Sequence, residues 1–176
     1  MGRTRAALGS AAFLLAAPGV VAALGPWLMT DWSAHDWSPT VRVAGGVLIA
    51  ASAFVLSHAF MRFVVEGAGT PAPVAPTERL VVGGAYRYVR NPMYLAVLAI
   101  IVGQALLLGQ AGLLPYAGIV GLAFAAFVSL YEEPILAHRY GEQYRAYRRA
   151  VPAWLPRTTP WEPGSPDRRE HIPRPR

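Results

Sequence analysis

Two short runs hold most of the chemistry this chain can offer. One is Gly84-Ala85-Tyr86-Arg87-Tyr88-Val89-Arg90-Asn91-Pro92-Met93-Tyr94, and the other is Glu132-Glu133-Pro134. Together they supply two carboxylates, an amide, arginines and tyrosines. A carboxylate can accept hydrogen bonds from hydroxyl or ammonium donors, or remove a proton from an amine, thiol or hydroxyl nucleophile. Taken singly, Arg and Tyr are also common anchors at a membrane interface, and Pro92 suits the first turn of a helix. The acid pair is less easily read as an anchor, because the macrodipole disfavours anions at a helix C-terminus. Pro134 adds to this, since it has no N–H to offer the Leu130 carbonyl. His58 is a further ionisable group, deep in an apolar stretch, where a helix-facing hydrogen bond is as good a reading as a functional role. No HExxH, Ser–His–Asp, P-loop or GxGxxG pattern occurs, so the soluble nucleotide-binding folds are not supported.

The elements that must position these runs are apolar. Four stretches stand out, from about Ala6 to Met29, Val41 to Val65, Met93 to Leu108 and Leu113 to Tyr131. Between Met93 and Tyr131 there is no Asp, Glu, Lys or Arg. Soluble helices need a wetted face, whereas helices in lipid do not. The composition agrees, with 54% hydrophobic and 15% charged residues. The third stretch is short, rising about 24 Å against a hydrocarbon core of roughly 30 Å. Gly109-Gln110-Ala111-Gly112 forms a tight turn between the third and fourth stretches. A helical hairpin results, and its two open ends meet, which predicts Asn91, Tyr94, Glu132 and Glu133 as neighbours. The first stretch has a rival reading as a cleaved signal peptide with a site near Val21-Ala22-Ala23, but it exceeds the usual h-region length. After the acids, Leu136, Tyr140, Tyr144, Tyr147 and Val151 recur with a helical period. This predicts a C-terminal amphipathic helix over Ile135–Val151, lying at the membrane surface or closing over a site. Gly141 is a possible break in it. The expected fold is therefore all-α, a polytopic membrane bundle of about four membrane helices plus that C-terminal helix. Residues 1–156 form a single domain, with residues 157–176, rich in Pro and mixed charge, expected to be a disordered tail.

Charge placement gives orientation and excludes partners. All 16 basic residues are Arg. They flank the apolar runs, so the net charge of +6 points to anionic lipid headgroups and not to nucleic acid. Arg3 and Arg5 precede the first stretch. Arg79, Arg87 and Arg90 fall in the 66–92 connection, and nine Arg follow from Arg139 onward. The positive-inside rule then places both termini and the 66–92 loop in the cytosol, and the abundance of Arg, Gly, Pro and Ala, as in a GC-rich bacterial genome, makes a bacterial inner membrane the expected location. The absence of Cys excludes disulfides, thiolate catalysis and Cys-ligated metal centres.

Glu78-Arg79-Leu80-Val81, the 84–94 run, the apolar hairpin, Glu132-Glu133, then Tyr140-Gly141-Glu142-Gln143-Tyr144, Tyr147, Val151-Pro152 and Pro156 follow one another in an order that resembles the isoprenylcysteine carboxyl methyltransferase and phospholipid methyltransferase superfamily. The likeness covers roughly residues 70–156. It implies an integral-membrane methyltransferase that uses S-adenosylmethionine at the cytosolic face and acts on a lipid or small amphiphile. Carried over by position, the cofactor contacts are Glu78, Arg79, Leu80, Val81, Tyr86, Asn91, Pro92, Met93, Tyr94 and Glu132. Glu133, the nearest candidate for a base, and Arg90 are the expected catalytic residues, and no metal is implied. One departure bears on the substrate. The eukaryotic prenylcysteine enzymes carry an Arg one turn before the acids, where this chain has Val128, which disfavours a prenylcysteine acceptor. The same membrane fold also resembles the C-terminal part of NADPH-dependent sterol reductases, which have His-Pro where this chain has Asn91-Pro92. A non-enzymatic membrane scaffold is the third reading.

Overall fold

A computed structural model describes residues 18–66 and 80–162. The start of the first apolar stretch, the Gly- and Pro-rich 67–79 segment with Glu78 and Arg79, and the 163–176 tail lie outside the described residues. The described chain is helical, with no strand among the described residues. Helix α1 covers Val20–Thr30, α2 Pro39–Glu66, α3 Pro92–Leu108, α4 Leu113–Phe127 and α5 Glu133–Ala150. A 3-10 turn, Gly84–Arg87, precedes α3, and a π turn, Val128–Glu132, joins α4 to α5. Two helices, Pro39–Arg62 and Leu113–Ala150, are long and apolar enough to cross a membrane, whereas Val20–Thr30 and Pro92–Leu108 are shorter apolar helices.

Helix α2 packs against α3 along a seam of small residues. Gly45, Ser52 and Ala59 recur every seven residues on α2 and are buried. Ala96 and Gly103 do the same on α3. Small side chains let two backbones approach closely, which is how helices gain packing energy where lipid removes the hydrophobic drive. A Cβ at Gly45 would lie 2.7 Å from the Gly103 carbonyl oxygen and 2.6 Å from the Leu107 nitrogen. The opposite face of α2 is exposed at Val43, Val47, Phe54 and Met61. An exposed apolar stripe of this kind suits a surface that faces lipid.

The hairpin of α3 and α4 carries the main core, built on Val97, Ile101, Ala105, Leu113, Ala117 and Val120. Gly109 closes α3 in the left-handed conformation, as the tight turn requires. Helix α1 docks on the hairpin through its own irregularity. Its first turn is π-helical over Val20–Leu24, and such a turn interrupts the regular i→i−4 bonding. Side chains of the hairpin bond carbonyls in this turn: the Tyr116 hydroxyl donates to the Val21 oxygen at 2.8 Å, and the Gln104 amide to the Ala22 oxygen at 2.7 Å.

Pro134 shapes the junction after α4. With no N–H at residue 134, the regular bond to Leu130 cannot form, and the Glu133 N–H reaches back to the Val128 oxygen, a π-type step. The helix expected over Ile135–Val151 runs from Glu133 to Ala150 and consists of two segments that meet at Gly141, whose φ of 53° and ψ of −125° are non-helical. Tyr144, Tyr147 and Val151 are buried, with Leu80, Val82 and Trp161 packed against them.

Candidate functional site

The 84–94 run folds as a turn followed by a helix start. Val81 and Tyr86 are buried against Ala59 of α2, with Met93 packed on this cluster. Leu80 packs on the other side, against the Tyr144–Tyr147–Val151 cluster. Tyr86 offers its main chain to the site's frame: its carbonyl accepts the buried Tyr147 hydroxyl at 2.7 Å. Burial raises the pKa of both phenols, so they stay neutral, and the Tyr147 hydroxyl is the donor in this bond. Pro92, buried, occupies the first turn of α3, where its missing N–H costs nothing.

The open end of the hairpin brings the two runs together, and it sorts the two acids. The Tyr94 hydroxyl donates to Glu132 Oε1 at 2.9 Å. Glu133 goes the other way, taking Arg90 Nη1 at 2.6 Å on one oxygen and Arg148 Nη2 at 3.1 Å on the other. Adjacent helical residues point about 100° apart, so the pair cannot share a partner. Arg90 Nη1 also donates to the Tyr144 hydroxyl at 3.1 Å. Burial raises the Tyr144 phenol, with Glu133 adding to the rise. Arg148 and Glu133 are fifteen residues apart and would be about 22 Å apart on a straight helix. The kink at Gly141 closes that distance, because glycine alone adopts such a left-handed backbone without strain.

Glu132 is one residue beyond the apolar run that ends at Tyr131. Burial raises its carboxyl above the ordinary carboxylate value, and the Glu133 charge adds to this, against the lowering effect of the Tyr94 bond. Among the described residues Tyr94 is its one hydrogen-bond partner, which leaves the second carboxylate oxygen for a ligand's donors. Two aromatic rings flank Tyr94, Phe124 at 4.6 Å and Trp154 at 6.4 Å between centroids. Arg90 Nε is buried and has no acceptor among the described residues.

Asn91 is the residue that precedes the first turn of α3. It is buried, and its amide donates to the Ala153 carbonyl at 3.1 Å, not to either acid. It anchors a strap that sequence reasoning missed. Residues 152–162 lie along the turn before α3, with the Arg90 N–H on the Pro152 oxygen, the Arg157 N–H on the Tyr88 oxygen and the Trp161 N–H on the Arg87 oxygen, each at 2.9 Å. Residues 157–162, the start of the expected disordered tail, are therefore held in place. The Arg157 guanidinium donates to the Ala150 oxygen at the end of α5, and Arg87 pairs with Glu162. Local composition is Pro-rich and polar here, and the tyrosine pocket that Trp161 packs on adds to these bonds in favouring order. Arg148, Trp154 and Trp161 thus join the site's frame. The period of Tyr144, Tyr147 and Val151 is the one sequence signal that pointed toward it.

Glu132, with its open oxygen, and the rings flanking Tyr94 lie at the open end of the α3–α4 hairpin, and the Arg90–Glu133–Arg148 cluster starts one residue further on. No curated protein and no solved structure matches the chain. The model of the family described as Phospholipid methyltransferase matches residues 40–143, from the start of α2 to just past the Gly141 kink. That is more than half of the chain and takes in both chemical runs, and the chain belongs to the phospholipid methyltransferase family.

Proposed function

We propose that this membrane methyltransferase moves a methyl group from S-adenosylmethionine to a lipid or small amphiphilic acceptor at the cytosolic face. The observation that carries the reading is a carboxylate with an open oxygen, Glu132, held by Tyr94 beside aromatic rings at the open end of the hairpin. An amino-acid moiety brings an ammonium that complements Glu132. The aromatic faces of Tyr94 and Trp154 suit a sulfonium cation. The residues therefore fit the cofactor. Leu80, Val81, Tyr86, Pro92 and Met93, with Glu78 and Arg79, belong to the same proposed contact set.

When bound, S-adenosylmethionine would supply an activated methyl group for transfer to the acceptor. The chain's main task is positioning. Tyr94 orients Glu132. Arg90, Glu133 and Arg148 clamp α5 onto the hairpin, a use of Glu133 that leaves neither of its oxygens without a cation. Its role in this proposal is to hold the fold, with proton removal falling to it only for an amine, thiol or hydroxyl acceptor.

Calorimetry of the detergent-solubilised protein with S-adenosylhomocysteine should show binding. Incubation with methyl-labelled cofactor and membrane lipids should place label in the lipid or amphiphile fraction by mass spectrometry. Binding of NADPH with none of S-adenosylhomocysteine overturns the proposal.

A further inference from the structure

The strap after α5 is anchored at its two ends. Val151, just before it, is buried, and near its far end the Trp161 ring stands 5.4 Å from the Tyr147 ring. Between these anchors Leu155 is 79% exposed, and Pro156, Thr158, Thr159 and Pro160 are exposed as well. A few hydrogen bonds hold this middle part. Asn91 donates to the Ala153 carbonyl, and Arg157 gives its N–H to the Tyr88 oxygen and its guanidinium to the Ala150 oxygen. A segment with so little buried apolar surface opens at a lower free energy than the helices around it.

That middle part carries Trp154 to the site. The Tyr94 ring has Phe124 at 4.6 Å and Trp154 at 6.4 Å between centroids, and its hydroxyl holds Glu132. One of the two flanking rings is fixed in α4, whereas the other rides on the strap. Trp161 has a different place: its ring lies on Tyr147, whose hydroxyl is bonded to the Tyr86 carbonyl. One tryptophan thus meets the site and the other meets the frame, with the exposed middle of the strap between them. The strap lies beyond the matched residues 40–143, so membership of the family assigns it no role.

We propose that residues 152–160 form a lid over the cofactor site, hinged at Val151, fastened by Trp161, and closed by the Trp154 ring against a bound S-adenosyl ligand. Trp154 is then a binding residue, and Trp161 is a positioning residue that acts through it. The inference rests on the cofactor reading of Glu132 and Tyr94.

The test uses the full chain in detergent, with S-adenosylhomocysteine as the probe. Hydrogen–deuterium exchange needs no variant. With the probe at about ten times its Kd, the N–H groups of Arg157 and Trp161 should exchange about tenfold more slowly, because a ligand that binds the closed lid stabilises it by mass action. Those along the α2–α3 seam should not change. In calorimetry Trp154→Ala should weaken binding about tenfold, Trp154→Phe should restore most of it, and Trp161→Ala should weaken it as well. The double variant should bind as Trp154→Ala alone does, because the fastener matters only while there is a ring to hold. Leu155→Ala, on the same strap, should change nothing. A thermal melt of each variant confirms that it is folded. Probe binding with unchanged exchange at Arg157 and Trp161, full binding by Trp154→Ala, or additive losses in the double variant overturns the lid alone. No binding of the probe to the native chain overturns the lid and the cofactor reading together.

Discussion

Glu132 and Glu133 are neighbours in sequence with opposite circumstances. Glu133 is clamped between two arginines, whereas Glu132 has one neutral partner and a carboxyl raised by burial. A raised carboxyl means that the folded chain holds this proton more tightly than the unfolded chain. Its contribution to stability is then full below the ordinary carboxylate value and declines as pH rises through the raised one. Glu132→Gln keeps an oxygen for Tyr94 and removes the charge. Without cofactor, the melting temperature of the native chain should therefore fall relative to that of the variant as pH rises above the ordinary carboxylate range. Binding of S-adenosylhomocysteine should move the other way. Loss of a charge-assisted bond costs about 1.5–3 kcal/mol, so calorimetry should show the variant binding roughly ten- to a hundredfold more weakly. A variant that binds as tightly as the native chain removes Glu132 from the cofactor site.

At the scale of elements, two junctions set the site, the clamp on α5 and the small-residue seam between α2 and α3. Glu133→Gln leaves Arg90, whose side chain is 11% exposed, without its counter-charge. Breaking a buried pair from one side costs about 3–5 kcal/mol. Arg148→Ala removes a partner that is 55% exposed and should cost under about 1 kcal/mol. Thermal unfolding in detergent should rank them in that order, and equal losses would show that Arg148 carries the clamp. On the seam, Gly45→Ala forces a Cβ onto backbone atoms of α3, an overpacking of about 1–3 kcal/mol. Gly46→Ala next to it meets nothing closer than the Leu107 Cδ1 at 4.0 Å and should be neutral or slightly stabilising in the same measurement.

At the scale of the whole molecule, the site needs its cofactor side to face the cytosol. Two helices are long enough to span alone, and α1 and α3 complete a four-span arrangement only if they too cross the layer. Loop charge makes the expectation definite. Reporter fusions after Arg5, near Asp36, near Thr77 and at the C-terminus should read in, out, in and in. An external reading at Thr77 would put the 78–94 run on the wrong side of the membrane for a cytosolic cofactor.

Much of this protein can be read along the chain. The apolar stretches, the glycine turn at 109–112, the proline that disturbs the end of α4 and the breaking glycine at 141 are all local. Each depends on residue type and period within a few turns, so α2, α3 and α4 form close to where the pattern puts them. The meeting of the 84–94 run with the acid pair is also legible, because a hairpin with a four-residue turn returns its ends to one place. The partners inside that meeting were not. Which acid faces Tyr94 and which faces Arg90 depends on rotation about the helix axis, and the π turn at Val128–Glu132 shifts that rotation. The reach of Arg148 to Glu133 depends on the direction of the Gly141 kink, and the use of Asn91 on the Ala153 carbonyl depends on a strap held by bonds across more than sixty residues. Spacing along a chain sets what is near in one dimension, and these contacts are decided by angles between elements, which packing in three dimensions alone determines.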